Sequence, residues 1–119
     1  MILFRATIEG MTIIPYVRMT QRSKWSKPAR RYLNSQEQLA WQLKKHWTGK
    51  DGIDYPVEIS YAAHFPTKHH RDNDNVLKAL QDALQYAGIV INDKWIQGTG
   101  KTRIYYDGKA RLVIELRRL

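Results

Sequence analysis

Three aspartates at the two ends of one amphipathic segment are the residues best suited to chemistry. Asp72 and Asp74 come just before an amphipathic segment, and Asp93 follows that segment. In extended backbone, residues two positions apart point to the same side, so the carboxylates of Asp72 and Asp74 can share a cation. Mg²⁺ prefers oxygen ligands and keeps several waters, so two or three aspartates suffice to hold it beside a phosphate. The pattern suits metal-dependent phosphodiester cleavage.

The same aspartates also have a purely structural interpretation. Asp is a favoured helix N-cap, and a carboxylate at a helix N-terminus contributes about 0.3–1 kcal/mol. Spacing alone therefore leaves helix capping and metal binding both open. An EF-hand calcium loop is excluded, because counting from Asp72 places Leu77 where that loop requires Gly and Ala83 where it requires Glu.

Lys78 is a cation whose position on the predicted helix can bring it to a metal site formed by these aspartates. It lies one helical turn after Asp74 and can face the same site, where it would contact a scissile phosphate or the attacking water. A solvated lysine on the helix surface is the alternative. Asp82 follows four residues later, which is the spacing of an ion pair along a helix, so we place it outside the metal-binding set.

Positive charge is concentrated in two segments that precede the aspartates. The segment between Glu9 and Glu37 contains no acidic residue, whereas it contains the cations Arg18, Arg22, Lys24, Lys27, Arg30 and Arg31. The second cluster comprises His64, Lys68, His69, His70 and Arg71. Adjacent histidines without a third ligand at suitable spacing argue against zinc, so we expect both clusters to contact nucleic-acid phosphates. Trp25 is expected either to stack on an exposed base or to pack against the protein.

The composition limits the class of protein. The chain has 119 residues, with 20 Lys and Arg against 11 Asp and Glu, a net charge of +9 and no cysteine. This length indicates a single domain over residues 1–119, and the missing cysteines exclude disulfides, iron–sulfur clusters and thiolate zinc sites. A strongly basic chain with 43% hydrophobic residues indicates a folded domain that binds a polyanion. We find no membrane span or signal peptide and expect a cytoplasmic protein without a membrane partner.

Residue periodicity predicts which elements carry these side chains. Alternation predicts strands over residues 1–9 and 57–65. Helical spacing predicts one helix from an N-cap at Ser35 to about Trp47, preceded by a mobile basic loop over about residues 10–34. A second helix is predicted to start at the aspartate pair and to end at Gly88.

The last part of the chain is predicted to form a β-hairpin. Its strands are expected over residues 101–106 and 110–116, joined by Asp107-Gly108, a dipeptide suited to a type I′ turn. The complete order is then β-α-β-α-β-β. We expect an α+β domain, a two-layer α/β arrangement in which a mixed sheet has both helices packed on one face.

The candidate residues occur within a longer pattern. It reads Arg71-Asp72-Asn73-Asp74-Asn75-Val76-Leu77-Lys78, then Asp82-Ala83-Leu84, then Ala87-Gly88-Ile89-Val90-Ile91-Asn92-Asp93. This pattern resembles the R-D-x-D-N-x-x-K … D-A-L … G … D-D signature of the RusA-type Holliday junction resolvases, small endonucleases of phages and prophages. The family often has Asp-Asp where this chain has Asn92-Asp93, so only Asp93 can take the metal role there.

The resemblance implies a function for each candidate residue. Asp72, Asp74 and Asp93 would bind Mg²⁺, with Mn²⁺ able to substitute, and Lys78 would assist catalysis. It also implies a homodimer whose two sites cut a four-way DNA junction symmetrically, without a small-molecule cofactor. DNA recombination and repair would be the corresponding process.

Two other functions stay open beside this one. The first is a non-catalytic nucleic-acid-binding module whose aspartates only cap a helix. An N-cap tolerates Asn, whereas a metal ligand that loses its charge loses turnover, so Asp72→Asn or Asp74→Asn separates the two. The second is a metal-dependent nuclease that acts on other branched DNA or on RNA. Comparing RNA with DNA substrates separates that one, because nothing in the sequence identifies a reader of the 2′-hydroxyl.

Overall fold

The computed structural model describes residues 1–17 and 26–119. The elements follow in the order β1 (Ile2–Glu9), α1 (Lys27–Lys44), β2 (Val57–His64), α2 (Asn73–Tyr86), β3 (Ile96–Tyr105) and β4 (Arg111–Arg118), with a short 3₁₀ helix at Asp93–Trp95. This confirms the predicted order β-α-β-α-β-β. Within the described ranges, no helix combines the length and the apolar character needed to cross a bilayer.

The four strands form one mixed sheet in the order β1-β4-β2-β3. β4 runs antiparallel to both of its neighbours, whereas β2 and β3 are parallel. A chain that leaves β2 must cross back along the sheet before it can pair in parallel as β3, and α2 forms that crossover. The N-terminus of α2 therefore lies at the end of the sheet where β2 finishes.

One face of the sheet is buried beneath the helices. In β2, Val57, Ile59 and Tyr61 are buried while the alternating Glu58 and Ser60 are partly exposed, as expected for a strand with one covered face. Both helices contribute to the same core, among others through Leu39, Leu43, Val76, Leu80 and Leu84. The predicted α+β domain with its helices on one face is thereby confirmed.

The predicted β-hairpin is wrong. β3 and β4 are not neighbours, because β2 lies between them. A type I′ turn needs positive φ at both central residues, and among the described residues only glycines, Gly108 included, have positive φ. The Asp107-Gly108 signal marks a reversal of the chain, but β2, buried at all four residues of its inner face, takes the central position and pairs with both flanking strands.

α1 begins earlier than the sequence predicts. Its N-cap is Ser26, whose hydroxyl accepts a hydrogen bond from the backbone N–H of Ala29 at 3.3 Å, while the predicted N-cap Ser35 lies buried in the middle of the helix. Pro28 fits the first turn because no backbone donor is needed there. The expected loop over residues 10–34 is therefore too long, since residues from Lys27 onward are helical.

The ends of α2 agree with the prediction. Asp72 is the N-cap, and Gly88 follows the last turn with a φ of 75°. This left-handed conformation is available to Gly without steric cost, which explains why the helix stops there.

Candidate active site

Asp72 and Asp74 lie at the N-terminus of α2. Asp72 Oδ1 accepts a hydrogen bond from the backbone N–H of Asp74 at 2.9 Å, so the capping role that the sequence allowed is present. Asp74 is an exposed residue of the first turn, where the helix dipole favours negative charge. Capping uses one oxygen of Asp72 and a carboxylate has two, so capping does not exclude metal binding.

Lys78 connects α2 to Asp93. Its Nζ lies 3.5 Å from Asp93 Oδ2, and it is one turn after Asp74 on the same side of the helix. The backbone N–H of Asp93 donates to Gln85 Oε1 at 2.9 Å, which ties the start of the 3₁₀ helix to α2. Asp93 therefore lies beside the face of α2 that carries Lys78, although about twenty residues separate it from the aspartate pair in sequence.

The three aspartates do not form a preassembled metal cage. In residues 1–17 and 26–119, no group of three His, Cys, Asp or Glu side chains is placed to hold a metal ion. The chemistry of the donors nevertheless fits Mg²⁺, which accepts carboxylate oxygens and completes its shell with waters and substrate phosphates. Asp72, Asp74 and Asp93 have carboxylate oxygens of this kind.

Asp82 contacts Lys78, as its spacing predicted. Asp82 Oδ1 lies 2.8 Å from Lys78 Nζ, and Asp82 Oδ2 accepts a hydrogen bond from the Tyr32 hydroxyl, also at 2.8 Å. The hydrogen bond to Asp82 is the main reason why the pKa of Lys78 is raised, and the charges of Asp82 and Asp93 act in the same direction. Lys78 is thus an ammonium group held between two carboxylates.

Tyr61 is a site residue that the sequence analysis missed. It is buried on the inner face of β2, and its hydroxyl donates to Asn73 Oδ1 and lies 3.3 Å from the backbone oxygen of Asn73. Burial, followed by the negative charge of Asp74, raises the pKa of Tyr61 to about 12, while a hydrogen bond with Thr102 acts in the opposite direction. The strand alternation marks Tyr61 as a core residue, but its contact with α2 has no signal in the sequence.

The basic cluster before α2 divides into three kinds of residue. His64 is buried at the end of β2, where its Nδ1 lies 2.6 Å from Asp107 Oδ2. Lys68, His69 and His70 are exposed on the connection from β2. The Arg71 guanidinium instead lies 4.2 Å from the centroid of the Phe65 ring and donates to the backbone oxygens of Thr67 and His69 at 2.8 and 2.6 Å. Arg71 therefore organises the loop that displays Lys68, His69 and His70.

The basic segment between Glu9 and Glu37 also contacts α2. Lys27, Arg30 and Arg31 are exposed in the first two turns of α1, just before Tyr32, which contacts Asp82. On the other side, the backbone N–H of Tyr16 donates to Asn75 O at 3.0 Å. Arg18, Arg22, Lys24 and Trp25 lie outside the described residues. The described chain thus contacts α2 on both sides of that gap.

The chain is similar in sequence to known proteins. The family model described as Endodeoxyribonuclease RusA matches residues 14–117. The Crossover junction endodeoxyribonuclease RusA of Aquifex aeolicus (strain VF5) is 31% identical over 87 residues, which cover 73% of this chain and 68% of the relative. Similarity to RusA-type nucleases indicates, in general, a requirement for a divalent metal ion. The match of the family model over residues 14–117, a span that contains the aspartates and Lys78, establishes that this protein belongs to the RusA endodeoxyribonuclease family.

Proposed function

We propose that this protein is a Mg²⁺-dependent endonuclease that resolves four-way DNA junctions by paired phosphodiester hydrolysis, with Mn²⁺ able to substitute. The Aquifex relative is named for crossover junctions, and the same substrate is proposed here. The observation that carries the proposal is the contact of Lys78 with Asp93, because it brings Asp93 to the helix that starts with the other two aspartates. A DNA substrate agrees with the expected cytoplasmic location.

Each residue at the site has a distinct task in this proposal. Asp72, Asp74 and Asp93 would hold the metal, which when bound would supply an activated water and neutralise charge on the scissile phosphate. Lys78 stays protonated and donates to the phosphate oxygen that gains negative charge in the transition state. Burial keeps the Tyr61 hydroxyl protonated, so it donates to Asn73 and orients the start of α2.

DNA binding is assigned to the two basic segments. Lys27, Arg30 and Arg31 on α1 and Lys68, His69 and His70 before α2 are exposed. The first group lies on the helix whose Tyr32 contacts Asp82 of α2, and the second lies on the connection that leads into α2. Arg18, Arg22 and Lys24 are assigned to the same surface by sequence, and Arg71 joins it through the loop that it shapes. Contacts of this kind release counterions, so the affinity for DNA falls steeply with salt.

The proposal also includes that the chain acts on the junction as a homodimer. A four-way junction has symmetric strands, and two copies of the chain related by a two-fold axis would present two sites to them. Sedimentation of the protein with and without a junction measures this state. A chain that stays monomeric on the junction yet makes paired cuts would contradict it.

A cleavage assay tests the catalytic assignment. A labelled four-way junction, a fork, a plain duplex, a single strand and an RNA junction are each incubated with protein in Mg²⁺ or EDTA. Paired symmetric nicks in the DNA junction that require metal and disappear in Asp74→Asn would support the proposal. The matched control is Asp51→Asn, which neutralises an exposed aspartate between α1 and β2 and should cleave normally.

The N-cap hydrogen bond of Asp72 favours one second candidate, a nucleic-acid-binding module without catalysis. Under that alternative, Asp72→Asn keeps the helix cap and leaves the binding of nucleic acid unchanged. Binding of the junction without any cut by the wild type in Mg²⁺ or Mn²⁺ would establish it. Equal cleavage of RNA would instead indicate a nuclease of broader substrate range.

A further inference from the structure

Lys78 is shared unequally between two carboxylates. Its Nζ is 2.8 Å from Asp82 Oδ1 but 3.5 Å from Asp93 Oδ2, so Asp82 makes the stronger hydrogen bond. An ammonium group has three N–H donors, and these contacts direct two of them to carboxylates. The third donor remains for an acceptor such as a phosphate oxygen.

Asp82 is itself held in place from α1. Its second oxygen accepts the hydrogen bond of Tyr32, a residue that is 2% exposed and whose ring packs edge-on against that of Tyr16 with 5.6 Å between centroids. Burial and the hydrogen bond to Asp82 raise the pKa of Tyr32, so its hydroxyl keeps its proton and acts as the donor. Asp82 cannot turn away from Lys78 without losing this partly buried hydrogen bond.

We propose that Asp82 and Tyr32 are positioning residues that hold Lys78 beside the metal site and prevent its ammonium group from pairing fully with Asp93. This inference rests on the proposed function, because it takes Asp93 as a metal ligand. A cation paired with Asp93 competes with a metal for the same carboxylate. Asp82 offers Lys78 a second counter-ion, so Asp93 becomes available to metal while Lys78 stays in reach of the phosphate.

The inference predicts a change in metal binding that needs no DNA and no turnover. Mn²⁺ is titrated into the full chain and followed by electron paramagnetic resonance. Asp82→Asn should weaken Mn²⁺ binding by about two- to fivefold, the range expected for one partly exposed ion pair. Tyr32→Phe, which removes only the hydroxyl, should act in the same direction and less strongly. Asp51→Asn and Tyr86→Phe are the controls, since both residues are exposed.

A double variant separates positioning from a general structural role. In a Lys78→Met background the competing cation is absent, so adding Asp82→Asn should leave the Mn²⁺ affinity of that background unchanged. At saturating metal, Asp82→Asn alone should lower kcat on the junction about tenfold while KM stays the same, and Asp82→Glu should recover part of the loss.

Different outcomes overturn different claims. If Asp82→Asn and Tyr32→Phe lower only the thermal stability and leave Mn²⁺ affinity and kcat at wild-type values, the positioning role is wrong while the proposed function stands. If Asp82→Asn weakens Mn²⁺ binding equally in the Lys78→Met background, the proposed competition by Lys78 is wrong. A wild-type chain that neither binds Mn²⁺ nor cuts a junction overturns the proposed function and this inference together.

Discussion

The hydroxyl of Tyr61, in the middle of the sheet, donates a hydrogen bond to the side chain of Asn73, the residue between Asp72 and Asp74. A buried strand residue thus orients the turn of α2 on which two candidate metal ligands lie. Tyr61→Phe removes the donor but keeps the ring in the core. We expect this variant to cost about 1 kcal/mol of stability and to slow junction cleavage several-fold, because the aspartates lose their fixed orientation.

The measurement is kcat at saturating Mg²⁺ and junction, together with the urea midpoint. Tyr86→Phe is the matched control, because that hydroxyl is on an exposed residue near the end of α2. A Tyr61→Phe protein with reduced stability and wild-type kcat would show that the hydrogen bond serves only the fold.

Tyr61 also makes the stability of the fold sensitive to high pH. Its pKa is raised to about 12 by burial and by the charge of Asp74, above its usual 10.0. The folded state therefore keeps a proton that the unfolded chain has lost, and stability falls as the pH rises from about 10 to about 12. The contribution of this group is of the order of 2 kcal/mol.

Urea unfolding at a series of alkaline pH values checks this. The stability of the wild type should fall more steeply with pH than that of Tyr61→Phe, and the two curves should converge as the pH rises above about 10. Parallel curves would mean that Tyr61 titrates alike in the folded and unfolded states.

The exposed arginines of α1 should contribute to DNA affinity through charge alone. Replacing Arg30 and Arg31 with Gln removes two exposed cations. If each neutralises one phosphate, the slope of log K against log salt for the junction should decrease by about 0.9 for each arginine. Fluorescence anisotropy from low to moderate salt measures the slope. Lys50→Gln, an exposed lysine after α1, is the control, and an equal effect of that change would argue against a specific α1 surface.

The N-cap of α1 can be identified by its effect on stability. Ser26→Ala removes the side chain that caps Ala29, and we expect a loss of about 0.5–1 kcal/mol. Ser35→Ala should have little effect, or a slightly stabilising one, because Ser35 lies inside the helix where Ala is the better helix former. Urea denaturation distinguishes the two positions. The reverse order of effects would place the helix start at Ser35 after all.

The predictions from sequence were most successful where a pattern is local. The alternation in β1 and β2 and the spacing of apolar residues in α2 identified these elements, since each pattern follows from the geometry of a single strand or helix. The start of α1 was wrong because Ser35 and Gln38 satisfy a capping pattern that the buried surface of the helix overrides.

Pairing between strands was less predictable. Asp107-Gly108 indicates a reversal of the chain, but a turn does not by itself determine which strands become neighbours. β2 lies between β3 and β4. Its inner face is apolar and buried along its whole length, and a strand of this kind buries most apolar surface in a central position. Which strand becomes central therefore depends on the packing of the whole sheet.

The sequence by itself determined the positive charge of this protein and the motif from Asp72 to Asp93 with Lys78. It also determined the family, which the motif indicates. Only the tertiary structure decided how those groups are held. It placed Lys78 between Asp82 and Asp93, set Tyr32 behind Asp82, and brought Tyr61 to Asn73. Residue types and short spacings are properties of the chain, whereas contacts between α1, β2 and α2 arise only when one shared core brings these elements together.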